Sequence, residues 1–212
     1  MVDSTYKEFE WHVPDAGNGE SGVGLATAFI RIIAALENVK TICDLGCGNG
    51  YMPGRLVELG YRVTGVDASE SGINIARANV SQATFFQATV DSTLRDRTGL
   101  EQFDLVVSSD VIEHLYRPDD VIEAAASLVR PNGQVLIGTP YHGYLKNLVL
   151  SVTGKMDAHF GVHDVGGHIK FFSVKTLSEL LIKYGFSDLK FSYYGRAPWL
   201  WKNMICLASR KC

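Results

Sequence analysis

The sequence predicts an α/β fold in which a mostly parallel β-sheet is covered by helices on both faces. Three observations predict this fold. Short runs rich in Val and Ile recur along the 212 residues, segments of helical length separate most of them, and the last two runs lie too close together for a helix between them. A chain of this length fits one α/β domain and can bury a full core. Its net charge of −3 and pI near 6.1 argue against a nucleic-acid-binding surface and favour small-molecule partners.

The elements follow one another in a regular order. Residues 1–24 are predicted to be an N-terminal flap, and the first helix to span 25–37, where apolar side chains recur at helical spacing. The next predicted strands are 40–45, 62–66, 83–87, 103–108 and 133–139, and the predicted helices are 51–59, 70–79, 118–129 and 174–184. Strands 186–194 and 201–209 are joined too closely for a crossover, so the final strand is predicted to run antiparallel to its neighbour.

A glycine-rich turn follows the first predicted strand. Gly46, Gly48 and Gly50 alternate there, and glycine lets the backbone turn sharply and approach a ligand closely. Asp67 ends the second strand, at the position from which a carboxylate binds both hydroxyls of a ribose. Because the carboxyl ends of parallel strands share one edge of the sheet, these residues are predicted to line a nucleoside pocket.

The identity of the nucleoside depends on two further residues. Dinucleotide sites use G-x-G-x-x-G, but Tyr51 stands where the third glycine of that pattern is expected. Asp44 precedes the turn, and its carboxylate would repel a pyrophosphate while attracting an ammonium group. The pattern therefore favours S-adenosylmethionine over a nicotinamide or flavin cofactor.

Five segments then appear in a characteristic order: Asp44–Gly50, Gly65–Asp67, Phe103–Val107, Val111–Leu115 and Leu128–Gly133. Together they resemble the class I S-adenosylmethionine-dependent methyltransferases, and Asp110-x-x-Glu-His114 is most similar to the ubiquinone-biosynthesis O-methyltransferase-like group. The resemblance implies a Rossmann-like, doubly wound, seven-stranded sheet in a single domain over residues 25–212. It also implies methyl transfer to a hydroxyl of a small molecule such as a quinol, phenol or sugar.

The resemblance implies roles for individual residues. Gly46 and Gly48 would face the methionine part of the cofactor, Asp67 the ribose, and Ser109 the sulfonium. The full set of predicted cofactor-binding residues is Asp44, Gly46, Gly48, Asp67, Ala68, Thr89, Val90 and Ser109, of which Ala68, Thr89 and Val90 would border the adenine.

Two histidines are the predicted catalytic residues. His114 follows the fourth strand at the ligand edge, where an imidazole can serve as general base for a hydroxyl, and His168 could lie near it as a further base or ligand. As an alternative, Asp110, Glu113 and His114 would bind Mg²⁺, which would lower the pKa of a bound phenol or diol. The third interpretation is that these are polar side chains near a helix start.

Residues 140–172 form a long insertion at the ligand edge and are predicted to be a lid or substrate wall. Four of the six histidines lie there; His159 and His163 would share a helix face, or be surface groups on a loop. Residues 144–152 read as an amphipathic helix that either makes a weak membrane-surface contact or packs onto the sheet, which is the favoured interpretation. The residues predicted to wall an apolar or aromatic acceptor are Trp11, Tyr141, Tyr144 and Phe160.

Two alternatives to O-methylation remain at this stage: an N-methyltransferase acting on a small amine, and a cofactor-binding module without catalytic activity. The four cysteines have no paired spacing and the first twenty residues lack the apolar core of a signal peptide, so the expected location is cytoplasmic.

Overall fold

The structure is a computed structural model that describes residues 10–11, 19–161, 163 and 166–211. Seven strands form its central sheet. They are β1 (Thr41–Leu45), β2 (Arg62–Asp67), β3 (Thr84–Gln87), β4 (Phe103–Ser109), β5 (Val129–Pro140), β6 (Phe186–Tyr194) and β7 (Asn203–Arg210). Their order across the sheet is β3-β2-β1-β4-β5-β7-β6.

Strands β1 to β5 pair in parallel, and β7 inserts antiparallel between β5 and β6. The predicted seven-stranded sheet with one antiparallel final strand is therefore confirmed. Strand β5 begins earlier than predicted, because Val129 pairs with Phe103 before the register shifts. The Pro131-Asn-Gly133 sequence, which suggests a turn, lies inside this strand.

Eight α-helices are found among the described residues. They are α1 (Gly19–Ala34), α2 (Tyr51–Glu58), α3 (Glu70–Asn79), α4 (Leu94–Thr98), α5 (Asp119–Leu128), α6 (Tyr144–Val152), α7 (Met156–Phe160) and α8 (Val174–Lys183). Helix α1 starts before the predicted boundary, so residues 19–24 belong to a helix, whereas most of the remaining predicted flap lies outside the described residues. A Cβ on Gly24 would lie 1.7 Å from Tyr194 Oη, so this helical glycine permits close packing against β6.

The core lies on both faces of the sheet. On one face, Phe29 of α1 and Leu56 of α2 pack with Ile42 of β1. On the other, Leu128 of α5 and its neighbours pack with Val106 of β4. Each fully buried Leu or Phe of this kind contributes about 1.5–3 kcal/mol relative to an exposed side chain. These two layers fix the sheet, so its carboxyl edge is a rigid platform for the loops that follow the strands.

Within the described ranges, none of the helices has the length and apolar composition that crossing a bilayer requires.

Candidate active site

The turn after β1 has the geometry of a close-approach loop. The amides of Gly46 and Cys47 donate to the carbonyl of Val66 at 2.8 and 3.1 Å, which folds the turn over the end of β2. Gly46 has φ +80°, and a Cβ there would lie 2.2 Å from Val111 Cγ2. Only glycine fits this position without displacing the segment that follows β4.

Asp67 ties the loop to the next strand. Its Oδ2 accepts a hydrogen bond from the Gly48 amide at 2.7 Å, and its Oδ1 accepts one from the Ser69 amide at 2.8 Å. Such charge-assisted bonds are roughly twice as strong as neutral ones. The carboxylate therefore holds both the glycine turn and the start of α3 at the ligand edge, where it was predicted to bind ribose.

Asp44 is buried beside the same turn. Its Oδ1 has no hydrogen-bond partner among the described residues. Burial, and secondarily the charge of Asp67, raise the pKa of Asp44 to about 8. A buried carboxyl oxygen without a partner fits the cofactor's ammonium, so the residues present suit S-adenosylmethionine.

The predicted cofactor site is a cavity of about 120 Å³ whose lining includes Asp44, Gly46, Gly48, Ser109 and Asp110. Trp11 also lines it: the indole packs against Gly48, and the Trp11 amide donates to Ser71 Oγ at 3.0 Å. Trp11 was predicted to wall the acceptor, but it lies on the cofactor side of the site. Small-molecule pockets typically occupy about 300–1,000 Å³, so the Trp11 indole narrows this cavity.

The predicted adenine-binding residues lie along the β2–β3 end of the edge, outside the lining of this cavity. The Ala88 amide donates to the Asp67 carbonyl at 2.9 Å, which positions the loop that carries Thr89 and Val90. Arg97 Nη2 donates to the Thr89 carbonyl at 2.8 Å, while Ala68 is exposed. Contact of these residues with the adenine therefore stays a prediction.

Glu113, His114 and His168 form a cluster after β4. Their nearest ligand atoms all lie within 4.8 Å of one another, and Glu113 is 0% exposed. Thr139 Oγ1 donates to Glu113 Oε2 at 2.9 Å, while Oε1 has no hydrogen-bond partner in the described part of the chain. Burial, then the neighbouring Asp110, raise the pKa of Glu113 well above its ordinary value. The predicted proximity of His168 to His114 is thus observed, with ring centroids 4.8 Å apart.

His114 has a defined hydrogen-bond partner. Its Nδ1 lies 2.7 Å from the carbonyl oxygen of Gly166, which can only accept. Nδ1 is therefore assigned as the protonated nitrogen, and in the neutral ring Nε2 carries the lone pair.

Asp110 is not one of the three residues of that cluster, but its carboxyl group is hydrogen-bonded to that of Glu113. It has φ +52° and its Oδ1 accepts a hydrogen bond from Asn203 Nδ2 at 2.9 Å. Burial raises its pKa. The predicted metal set of Asp110, Glu113 and His114 thus differs from the cluster that the structure brings together, in which His168 takes the place of Asp110.

The lid differs from its prediction in two ways. Helix α7 ends at Phe160 and His163 lies in an exposed turn beyond it, so the predicted shared face of His159 and His163 is wrong. Helix α6 has the predicted bounds, but the favoured packing of its apolar face onto the sheet is also wrong. Its exposed residues are Tyr144, Leu145, Leu148, Val149 and Val152.

Three of the four predicted acceptor-wall residues lie in the lid region, and two of them pack against other aromatic rings. Tyr141 is buried against Trp201, with ring centroids 5.3 Å apart, and Phe160 packs edge-on against Phe171 at 4.7 Å. Tyr144 points outward and does not contribute. Sequence reasoning missed Thr139 and Gly166, which position Glu113 and His114, because nothing in their spacing predicts these long-range contacts.

The raised pKa of Asp44 predicts a pH-dependent affinity for S-adenosylhomocysteine. Below about pH 8 the free protein holds this carboxyl protonated, and the ligand's ammonium favours the ionised form. Binding near pH 7 should therefore release a proton, and affinity should rise with pH toward 8, by at most about tenfold per unit. Calorimetric titration at pH 7 in buffers of different ionisation enthalpy measures this release. Asp44→Asn should abolish it, and an unchanged proton count in that variant would contradict the assignment.

The methyltransferase domain family matches residues 23–190 of the chain. A ubiquinone biosynthesis O-methyltransferase of Roseobacter denitrificans is 30% identical over 190 residues, which cover 84% of this chain and 74% of that protein. The protein of the same name from Hydrogenovibrio crunogenus is 28% identical over 158 residues, 74% of this chain and 65% of the relative. The chain thus spans less than two thirds of the length of some curated relatives that it matches.

Solved structures share the fold. Magnesium protoporphyrin IX methyltransferase from Synechocystis PCC 6803, with bound S-adenosylhomocysteine, is 22% identical, with a TM-score of 0.64 over 88% of this chain and 82% of that chain. A SAM-dependent methyltransferase from Archaeoglobus fulgidus is 18% identical, with a TM-score of 0.68 over 88% and 93%.

Proposed function

The chain belongs to the methyltransferase domain family, and from that premise we propose that it transfers a methyl group from S-adenosylmethionine to a hydroxyl of a small molecule. The names of the relatives, ubiquinone biosynthesis O-methyltransferases, support a hydroxyl acceptor such as a quinol or phenol. N-methylation and a purely cofactor-binding role are not favoured, because these relatives are named O-methyltransferases.

The observation that carries the proposal is the hydrogen bond of His114. Because Nδ1 donates to the Gly166 carbonyl at 2.7 Å, the lone pair of the neutral ring is on Nε2. His114 follows β4, whose end carries Ser109, and Ser109 lines the cavity with Asp44. The position of His114 after β4 supports a proton acceptor at the same edge of the sheet as the proposed cofactor site, as deprotonation of a hydroxyl nucleophile requires.

The chain's own residues position the cofactor and the acceptor, and they remove the proton from the acceptor hydroxyl. The glycine turn and Asp67 bind the nucleoside, and Asp44 pairs with its ammonium. The cofactor supplies an activated methyl group on a sulfonium. Holding the acceptor oxygen in line with that methyl lowers the barrier by fixing orientation. His114 accepts the hydroxyl proton at Nε2, while the Gly166 carbonyl keeps the ring oriented, and His168 lies against the same ring.

A metal-assisted form of the reaction is a second candidate, favoured by the orphaned Glu113 Oε1. That atom and the two neighbouring imidazoles form a compact donor set, and His168 Nε2 lies 3.9 Å from Oε1. Two nitrogen donors suit zinc or a related transition ion better than Mg²⁺, which prefers oxygen. His114 Nδ1 donates a hydrogen bond to the Gly166 carbonyl, as the second ring nitrogen of a metal-binding histidine usually does. Such an ion would acidify a bound hydroxyl.

The proposal also includes a contact between the outer face of α6 and a lipid surface. The outward residues of 144–152 are mostly apolar, and the lysine of this helix is buried. Binding would therefore depend on apolar burial rather than on attraction to anionic lipid.

Titration of the purified protein with S-adenosylhomocysteine tests the proposed function. We expect saturable binding with micromolar affinity, because the site combines the Asp67 carboxylate with the buried Asp44. Parallel titrations with Zn²⁺, with Mg²⁺ and with a chelator ask whether a metal contributes. Absence of binding under every condition would eliminate the proposed activity.

A further inference from the structure

Helix α6 has a lysine on its buried face, where an amphipathic helix normally has an apolar residue. Its exposed side chains are mostly apolar, whereas Lys146 is 3% exposed and lies on the inner face with Leu150. Lysine is rarely buried unless it is paired. Among the described residues no carboxylate forms an ion pair with this ammonium, and its hydrogen-bond acceptor is the Tyr141 carbonyl at 2.7 Å. A buried ammonium with one neutral partner is missing a counter-charge.

Two buried polar side chains near this lysine, His142 and Asn147, lack hydrogen bonds of normal geometry. His142 is 6% exposed; its Nδ1 and Asn147 Oδ1 make no hydrogen bond of normal length and angle within the described ranges, although these two side chains interact with each other. The His142 ring lies 5.5 Å from that of His159. Burial, then the charge of Lys146, lower the pKa of His142 to about 4, so at pH 7 it is a neutral donor. Buried polar groups normally have partners, so this set indicates a ligand group absent from the chain itself.

The local charge is positive. Burial and the charge of Arg196 lower the pKa of Lys146 to about 8, and burial with the charges of Lys146 and Arg196 lowers that of His159. Several cationic or basic side chains thus repel one another under the lid. Clustered like charge of this kind attracts a ligand of the opposite sign.

Lys146 is also connected to the proposed methyl-transfer site. Tyr141, whose carbonyl it binds, follows the end of β5, and Thr139 of the same strand donates to Glu113. Glu113 is adjacent to His114. Lys146 therefore lies at the same edge of the sheet as the proposed base. Aromatic rings of Phe160 and Phe171 flank His142 between them.

Resting on the proposed function, we propose that Lys146 and His142 bind a carboxylate of the methyl acceptor, which is therefore an anionic, hydroxylated aromatic compound. The carboxylate supplies the missing counter-charge of the ammonium and accepts from the imidazole. A monoanion matches one ammonium and one neutral donor. The aromatic side chains beneath the lid contact the ring, and the hydroxyl faces His114. Since Lys146 lies on the buried inner face of α6, the acceptor enters when that helix moves outward.

The experiment compares two probes that differ by one carboxylate. Protein saturated with S-adenosylhomocysteine is titrated calorimetrically at pH 7 with 3,4-dihydroxybenzoate and with catechol. We expect the carboxylate to bind about tenfold or more tightly, in line with the coupling energies of close charge pairs. Lys146→Met should bring the two affinities within about twofold. Lys155→Met, which removes an exposed lysine of the same lid, should leave their ratio unchanged.

Equal affinities in the wild type, no saturable binding of 3,4-dihydroxybenzoate, or an unchanged ratio in folded Lys146→Met would overturn the proposal. Binding of S-adenosylhomocysteine by the same samples separates these outcomes from failure of the proposed function, which would abolish that binding as well. If Lys146→Met does not fold, a competition experiment on the wild-type protein tests the proposal instead. Benzoate must then compete with 3,4-dihydroxybenzoate while benzyl alcohol does not, and equal competition would count against the carboxylate site.

Discussion

Replacement of His114 by alanine is expected to lower kcat by about 10²–10⁴-fold, the usual contribution of a positioned general base. Binding of S-adenosylhomocysteine should change by less than about threefold, because His114 is absent from the cavity lining that contains Asp44 and Gly48. The loss follows from the removal of Nε2, the nitrogen left without a proton when Nδ1 donates to the Gly166 carbonyl. Single-turnover methyl transfer to a phenolic acceptor, together with calorimetry, measures the two quantities separately.

A matched control is His163→Ala, since His163 is an exposed lid histidine in a turn. It should retain the wild-type rate. The rate of His114→Ala should recover as pH rises toward the pKa of the acceptor hydroxyl, since an acceptor that is already ionised needs no base. A His114→Ala enzyme with full activity at pH 7 would rule out this histidine as the base and reopen N-methylation.

Chelation, together with the His114→Ala and His168→Ala variants, distinguishes a general base at His114 from a metal site in the Glu113 cluster. If His114 acts alone, a chelator leaves the wild-type rate unchanged, and His168→Ala has a smaller effect than His114→Ala. If the cluster binds a metal ion, chelation abolishes activity, and both substitutions lower the stoichiometry of bound zinc measured by atomic absorption. The stoichiometry of bound zinc thus distinguishes the two outcomes without a measurement of turnover.

The fold was largely predictable because its strands are buried on both faces. Such strands produce the Val- and Ile-rich runs that locate β1 and β4 within a residue or two. Helices α4 and α7 were missed because five residues are too few to establish a helical period. The start of α1 was missed for a different reason: it contains Gly and Ser, which are poor helix formers, and Gly24 is selected by its contact with Tyr194.

The site was predictable where its residues directly follow the predicted strands, because the carboxyl ends of parallel strands share one edge of the sheet. The predicted role of S-adenosylmethionine is supported by family membership, and the glycine turn, Asp44 and Ser109 do line one cavity. The partnership of His114 with Gly166 depends on how a long lid folds back, which no local pattern encodes. The sequence does carry a signal for Lys146, because helical spacing places it on the face of α6 opposite to most of the apolar residues of that helix.

These observations change how the lid is understood. Helix α6 departs from the usual amphipathic arrangement, because Lys146 lies on the inner face beside Leu150 while the other apolar side chains of the helix face solvent. Ordinary packing selects the opposite arrangement, since burying an unpaired ammonium is unfavourable. Such a helix is consistent with a lid whose inner face binds an anionic acceptor and whose outer face contacts an apolar surface. The proposed substrate and the proposed lipid contact thus arise from one helix.

Replacement of Asp67 by alanine is expected to weaken S-adenosylhomocysteine binding by about 10²-fold. Hydrogen bonds to charged groups contribute about 1.5–3 kcal/mol each, and Asp67 holds the Gly48 amide at 2.7 Å and the Ser69 amide at 2.8 Å while also facing the proposed ribose. The variant therefore loses ribose contacts and loosens the turn that approaches the ligand. The affinity of Asp67→Asn for S-adenosylhomocysteine should lie between those of the wild type and Asp67→Ala, because its amide can replace only one carboxylate oxygen as an acceptor. Calorimetric titration gives the affinities, with Asp96→Ala, an exposed acid on α4, as the control expected to bind normally. Wild-type affinity in a folded Asp67→Ala protein would place the nucleoside elsewhere on the edge of the sheet.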